Sequence, residues 1–238
     1  MTLVSSPTQQ LHPAATVVVV RDATSPDGAP TLETLMLRRN ERGTFGGMWV
    51  FPGGRVDEAD MDPTAPHDEV AAGRRAAARE AAEEAGLVID PDAMVPLSHW
   101  RPPSTVPKGY ATWFFVAAGS DADVQIDGAE IHEHAWLPPA EVLRRRDAGE
   151  VTLAPPTFVT LMLLAEQTTV AGLFAALREA TPERFHTQIG TSGETSTAFW
   201  HGDESYAAAP GPADARHRLI MAADGWRYVR SPSAGDRG

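Results

Sequence analysis

The 238-residue chain contains no cysteine. A disulfide, a thiolate zinc site and a cysteine nucleophile are therefore excluded, and a reducing, cytoplasmic setting is the compatible expectation. Lysine is nearly absent too: of twenty basic residues only Lys108 is one. Positive charge as a whole is scarce, with 20 Lys and Arg against 32 Asp and Glu and a net charge of −12. Nucleic-acid binders usually carry a basic stripe. Here the tight groups Arg38-Arg39, Arg74-Arg75 and Arg144 to Arg146 read as solvated faces, so no nucleic-acid partner is expected. Long apolar runs are missing as well. Thr16 to Val20 and Phe158 to Ala165 are too short to cross a bilayer, and the first residues lack a basic region followed by an apolar core. Neither a membrane partner nor a secretory signal is expected.

What remains is ordinary globular composition, 42% hydrophobic and 22% charged, enough for one large domain or a domain with an appendage. Floppy stretches are expected at Met1 to Gln10, at Ala207 to Pro212 and after Ser231. Ala15 to Arg21 and Leu32 to Arg38 read as β-branched or apolar strands in a hairpin about Pro26-Asp27-Gly28. A glycine-bearing loop, Arg39 to Gly47, leads through Trp49-Val50-Phe51 into Pro52-Gly53-Gly54. Val70 to Ala85 is built from strong helix formers and stops at Gly86. Strands follow at Ser98 to Trp100, Thr112 to Ala117 and Glu130 to Leu137, with a turn at Gly119 to Asp123. Helices follow at Pro138 to Arg146, Pro155 to Glu166 and Val170 to Glu179. Short strands close the chain at His186 to Ile189, Ala198 to His201, Arg216 to Ala222 and Trp226 to Val229, the last two about Asp224-Gly225. The order implies an α/β domain with a mixed sheet over residues 12–150 and a helix-and-strand extension over 151–238.

The chemistry concentrates in Arg79-Glu80-Ala81-Ala82-Glu83-Glu84-Ala85-Gly86-Leu87. On a helix Glu80, Glu83 and Glu84 fall at i, i+3 and i+4 and share one face. Their mutual repulsion asks for compensation, and hard divalent cations with oxygen ligands supply it. By itself the face reads equally well as a solvated acidic surface.

The wider context resembles the Nudix family, whose box runs G-x5-E-x7-R-E-U-x-E-E-x-G-U with U aliphatic. Arg79 to Leu87 match its second half, with Ala81 as the aliphatic residue. Gly54 and, after five intervening residues, Asp60 match the first half, after the familiar lead-in Phe51-Pro52-Gly53-Gly54. Asp60 replaces glutamate, and eighteen residues rather than seven separate it from Arg79. An insertion thus sits around Met61 to Glu69, either a surface loop or one facing substrate. Glu69 is an alternative for the first acidic position.

The resemblance implies an α/β/α sandwich and a metal-dependent pyrophosphohydrolase using Mg2+ or Mn2+. It implies metal ligation by Glu83 and Glu84, by the carbonyl of Gly53 and by Glu80, which is a ligand or the base. Arg79 is implied as the brace of the carboxylates, and Asp60 as an outer ligand or the support of Arg79. The proton acceptor of many relatives lies in a later loop. In Gly128-Ala129-Glu130-Ile131-His132-Glu133-His134-Ala135-Trp136 the candidates are Glu130, preferred, and Glu133. His132 and His134 read as one face of a strand.

Gly53 to Asp60 is similar to the G-G-x-x-D-x-x-D opening of coenzyme A diphosphatase-like members, although the L-L-T-x-R and H-x-G-Q signatures are not found. Coenzyme A or an acyl derivative is the leaning, with ADP-ribose, NADH and other dinucleotides as alternatives. Arg55, Lys108 and Tyr110 are the candidate substrate contacts, with Arg101 a weaker one. Trp100, Trp113, Phe114 and Phe115 read as core before they read as a stacking surface for a base. The competing reading is a ligand sensor that has lost catalysis, against which the intact helix carboxylates speak. The extension, with 7 basic against 9 acidic residues, is a poor nucleic-acid module. It suits homodimerisation or the covering of a small nucleotide-type substrate.

Overall fold

The computed structural model describes residues 9–41, 45–119 and 124–231. The expected turn at Gly119 to Asp123 and the tail after Ser231 lie mostly outside these residues, as does most of the segment Met1 to Gln10. The chain divides into two compact units. The larger comprises residues 14–99 and 112–183, the second residues 1–13, 100–111 and 184–238.

In chain order the elements begin with strands β1 (Gln10–Thr24) and β2 (Pro30–Arg39), joined as the expected hairpin, and continue with the short strands β3 (Trp49–Val50) and β4 (Gly53–Arg55). Helix α1 (Glu69–Ala85) is followed by β5 (Val95–Arg101), β6 (Lys108–Ala118) and β7 (Ile131–Leu137), then by helices α2 (Pro139–Asp147), α3 (Pro155–Leu164) and α4 (Val170–Glu179). Strand order is β3-β2-β1-β6-β5, with β4 added to β1 and β7 to β2. This is the mixed α/β fold with a large mixed sheet that the element order implied.

The valine run shows why the sheet is buried on both sides. Val17, Val18, Val19 and Val20 are all fully buried, and alternate side chains must point to opposite faces. Val17 and Val19 join Leu35, Leu37, Phe115 and Ile131 in a core closed by Ala76, Ala77, Ala81 and Ala85 of α1. Alanine on that helix face lets its backbone approach the sheet closely. Asp68 caps the helix start by accepting from Ala71 N at 2.9 Å, and Gly86 ends it at φ 68°, a conformation that suits a residue without Cβ.

In the second unit strands β9 (Gln188–Ser192), β10 (Thr195–Phe199), β11 (His217–Ala222) and β12 (Gly225–Arg230) form an antiparallel four-stranded sheet in the order β12-β11-β10-β9. The sequence led us to expect a single strand over His186 to Ile189. Instead β8 (Glu183–His186) ends and β9 begins on either side of Thr187. Thr187 is pinned there: its N–H donates to the Arg101 carbonyl at 3.0 Å, and its hydroxyl accepts from Trp200 Nε1 at 3.1 Å. Ala207 to Pro212 is also not floppy, because Ala207 N donates to Gln188 Oε1 at 2.9 Å and Gly211 N to the Asp203 carbonyl at 2.8 Å.

Packing in this unit centres on aromatic rings. Trp100 stacks on Phe185 with centroids 3.8 Å apart, and Trp200 meets both edge-on. Beside them Asp203, fully buried, accepts two bonds from Arg218 at 2.7 and 2.6 Å and one each from the N–H groups of His217 and Ser205. Burial raises the Asp203 carboxyl, but the Arg218 guanidinium and these N–H groups outweigh it and leave the group below its ordinary value.

Removing one partner of a buried ion pair strands the other. Asp203→Ala is therefore expected to destabilise the protein by about 3–5 kcal/mol in urea unfolding followed by tryptophan fluorescence. Because the folded-state group lies below its unfolded counterpart, its contribution is complete at neutral pH. It is lost as pH falls below about 4, so wild type and variant should converge in stability there.

Candidate active site

Helix α1 carries its carboxylates along one edge, as the i, i+3, i+4 spacing predicts, yet their environments differ sharply. Glu83 stays open, its side chain 59% exposed, while those of Glu80 and Glu84 are 16% and 7% exposed. Glu84 Oε2 accepts from Gly53 N at 3.0 Å, and Oε1 accepts from Arg39 Nη1 at 3.2 Å. Burial pushes the Glu84 carboxyl up to about 7 in spite of these two donors, and the nearby charges of Glu80 and Glu130 add to the rise. Burial raises Glu80 as well, against the pull of Arg79.

The glycine pair is dictated by crowding. Gly53 and Gly54 pair with Thr16 and Ala15 of β1. A Cβ on Gly53 would fall 2.5 Å from the Ala15 carbonyl, and one on Gly54 would overlap the Glu80 carboxylate. Only a bare backbone lets this turn lie against the acidic edge of the helix.

Arg79 binds the whole arrangement. Its Nη1 reaches Glu80 at 2.8 Å and Glu83 at 3.3 Å. Its Nη2 donates to the Arg55 carbonyl at 2.9 Å and to Asp60 Oδ2 at 2.9 Å, and Nε to Asp60 Oδ1 at 3.3 Å. The bond to Asp60, ahead of the attraction of Glu80, raises the guanidinium above its ordinary value and keeps it charged. Asp60 is itself buried in a 3-10 turn over Glu58–Asp60, where its side chain accepts from Asp57 N at 2.9 Å. Its carboxylate thus faces Arg79, and of the two roles implied for it the geometry displays the support of Arg79. The insertion leaves Asp60 and re-enters at Asp68, and Glu69 opens α1 at a distance in sequence from the acidic edge.

Glu130 reaches the site by a different route. In the pairing of β2 with β7, Arg38 faces Glu133 but Arg39 faces Ile131, so His132 is an extra residue in a β-bulge. The bulge sets Glu130 beside Arg39 Nη2, with which it forms an ion pair. The preceding turn is locked by Asp127. Its carboxylate accepts from the N–H groups of Ala129, Glu130 and Ile131. Burial works against that anion, but the three donors win and hold it below its usual value. Glu133 lies on the other side of the bulge and pairs with Arg38 at 3.5 Å.

Arg39 is the residue that sequence reasoning missed. The expected solvated Arg38-Arg39 pair is corrected: Arg39 links Glu84 to Glu130, and nothing local in the sequence marks it. Arg55 is exposed, with its carbonyl on Arg79. Lys108 and Tyr110 are exposed on β6 in the second unit, where the Tyr110 ring lies 6.2 Å from that of His12. Trp100, Trp113, Phe114 and Phe115 are buried core, as read.

The donors that could hold a divalent cation are oxygens alone: Glu80, Glu83, Glu84 and the Gly53 carbonyl. That is the chemistry a hard cation prefers. Among the described residues no three acidic or histidine side chains converge into a ready ligand cluster. The reason is visible in the contacts above, since arginines occupy the carboxylates. Glu84 and, in smaller measure, Glu80 are withdrawn from water on this helix edge.

The NUDIX domain family matches residues 10–155, more than half of the chain. No curated protein matches. Among solved structures, a NUDIX hydrolase from Alicyclobacillus acidocaldarius is similar with a TM-score of 0.61 and 24% identity, over 71% of this chain and 98% of that one. The NUDIX domain of Shewanella oneidensis NrtR, solved with ADP ribose, is similar with a TM-score of 0.47 and 22% identity over 67% of this chain and 88% of its own. The chain belongs to the Nudix family, whose members cleave nucleoside-diphosphate-linked substrates, and it is a pyrophosphatase of that family. Among the described residues no helix is long and apolar enough to cross a membrane.

Arg79→Gln should expose the dependence on the brace. Buried Asp60 would lose its partner, at a cost of about 3 kcal/mol in urea unfolding. Adding Asp60→Asn should recover part of the loss, and the double-mutant cycle measures the coupling.

Proposed function

We propose that the chain is a Mg2+- or Mn2+-dependent pyrophosphohydrolase of a nucleoside-diphosphate conjugate, with catalysis carried by residues 12–150 and an extension over 151–238. The observation that carries this reading is the buried Glu84 and the largely buried Glu80 against a glycine turn in which Gly53 has no room for a side chain. Withdrawing carboxylates from water is costly, and a bound cation would offset that cost.

Glu83, Glu84 and the Gly53 carbonyl are the ligands in this reading, with Glu80 a further ligand. Asp60 acts through Arg79, which steadies Glu80 and Glu83. Bound divalent cations would neutralise the diphosphate and acidify a water molecule. Glu130 accepts the proton of the attacking water, one P–O bond of the anhydride breaks, and the displaced phosphate leaves with the bonding pair. Glu130 suits that role because its backbone is fixed by Asp127 while its carboxylate is 60% exposed. Exposed Arg55 is the proposed substrate contact within the larger unit.

Within this class coenzyme A and its acyl derivatives lead, on the likeness of Gly53 to Asp60 to that branch. That likeness is weakened as a substrate marker by the folding role of both aspartates, since Asp57 caps the 3-10 turn and Asp60 anchors Arg79. ADP-ribose, NADH and dinucleoside polyphosphates complete the set. The test is a panel of these compounds with Mg2+ or Mn2+, with products identified by mass. Turnover should appear with metal and vanish with a chelator. Glu84→Gln should abolish it, and Glu130→Gln should lower kcat by roughly 10²–10⁴. A 3′,5′-ADP product identifies coenzyme A. Folded protein inactive on every compound with either metal would defeat the proposal.

A further inference from the structure

Three features converge on Arg39. Its guanidinium spans two carboxylates, with Nη1 3.2 Å from Glu84 on α1 and Nη2 on Glu130 at the start of β7. Its backbone lies where β2 and β7 change register about the bulged His132. The next residue fastens the same turn, because Asn40 N donates to the Glu130 carbonyl at 2.8 Å and Asn40 Nδ2 to the Ala129 carbonyl at 2.7 Å. Bulges of this kind re-aim a side chain at a site. Arg39 is also well sheltered, 26% exposed, and the Glu84 side chain it meets is almost wholly buried. The planar fork of arginine serves two carboxylates at once, which a lysine ammonium does not do in the same geometry.

We infer that Arg39 is a positioning residue that occupies a cation's place at Glu84 while tethering the Glu130 turn, so that a divalent cation and Arg39 compete for Glu84. This rests on the reading of Glu84 as a metal ligand. Two consequences point in opposite directions. Loss of the positive charge relieves repulsion and strengthens cation binding. Loss of the fork frees Glu130 from the helix and loosens its turn. A purely structural role for Arg39 would weaken both.

The experiment needs only the metal. Mn2+ is titrated into wild type, Arg39→Gln and Arg39→Lys, with the free ion followed by electron paramagnetic resonance. Amide hydrogen exchange is then measured over residues 127–131. Arg39→Gln should bind Mn2+ roughly tenfold tighter, the effect of removing one unit charge a few ångströms from the ion. Its Glu130 and Ile131 amides should exchange faster. Arg39→Lys keeps the charge and loses the fork, so it should bind Mn2+ like wild type and exchange like Arg39→Gln. Unchanged or weaker Mn2+ binding by folded Arg39→Gln overturns the inference alone. Should Arg39→Gln not fold, Arg39→Lys decides, and wild-type exchange in it overturns the inference. Wild type that binds no Mn2+ defeats the metal-dependent reading of the site and this inference with it.

Discussion

Four carboxylates gather about one guanidinium, and that charge imbalance is what the larger unit is organised to contain. Arg79 touches Asp60, Glu80 and Glu83 and lies 3.7 Å from Asp57. A single positive charge cannot neutralise them all, and the fold does not try. Instead it removes water unevenly, leaving Glu83 in solvent and drawing Glu80 and Glu84 under the glycine turn. The result is a graded set of carboxylates on one helix edge, from the exposed Glu83 to Glu84, whose carboxyl burial pushes up to about 7. Oxygen donors that are already partly dehydrated lose less on meeting a cation than solvated ones do.

The scaffold explains how the imbalance is tolerated. Buried charge of this sort costs several kcal/mol per ion. The opposing contribution comes from the apolar layer directly beneath, where four alanines of α1 meet the valines of β1 and the leucines of β2. Small side chains on the helix bring its backbone, and so its carboxylates, close to the sheet. The same tight approach holds at Gly53, where the backbone of Ala15 and Thr16 fills the space a Cβ would need. Packing and chemistry are thus set by the same choice of short side chains.

Much of this was legible in the sequence because it is local. The helix, its cap at Gly86, the shared face of the three glutamates and the Gly53-Gly54 turn all follow from spacing within a few residues. What escaped is non-local or depends on a break in pattern. Arg39 meets Glu84 of α1 from 45 positions away and Glu130 from 91, the latter through the pairing of β2 with β7. The His132 bulge has no signature in the alternating run that contains it. At Thr187 the β-favouring pattern continues while the chain passes from one sheet to another, so one strand was expected where two exist. Trp113, Phe114 and Phe115 are legible as core because they fall in one continuous apolar run of β6, buried on both faces, whereas Tyr110 lies near the exposed start of that strand.

The inserted segment of the box has its ends fixed independently of its length. Asp60 is clamped by Arg79, and its carbonyl accepts from Arg75 Nε. Asp68 caps the first turn of α1. Between these two anchors the chain spans exposed residues whose contacts are short-range, such as Thr64 with Asp62. Loop-closure entropy rises by only about 0.6 kcal/mol for each doubling of length. The segment is therefore a port in the molecule: a peptide tag or a fluorescent reporter grafted near Ala65 would be carried next to the acidic helix without passing strain into it.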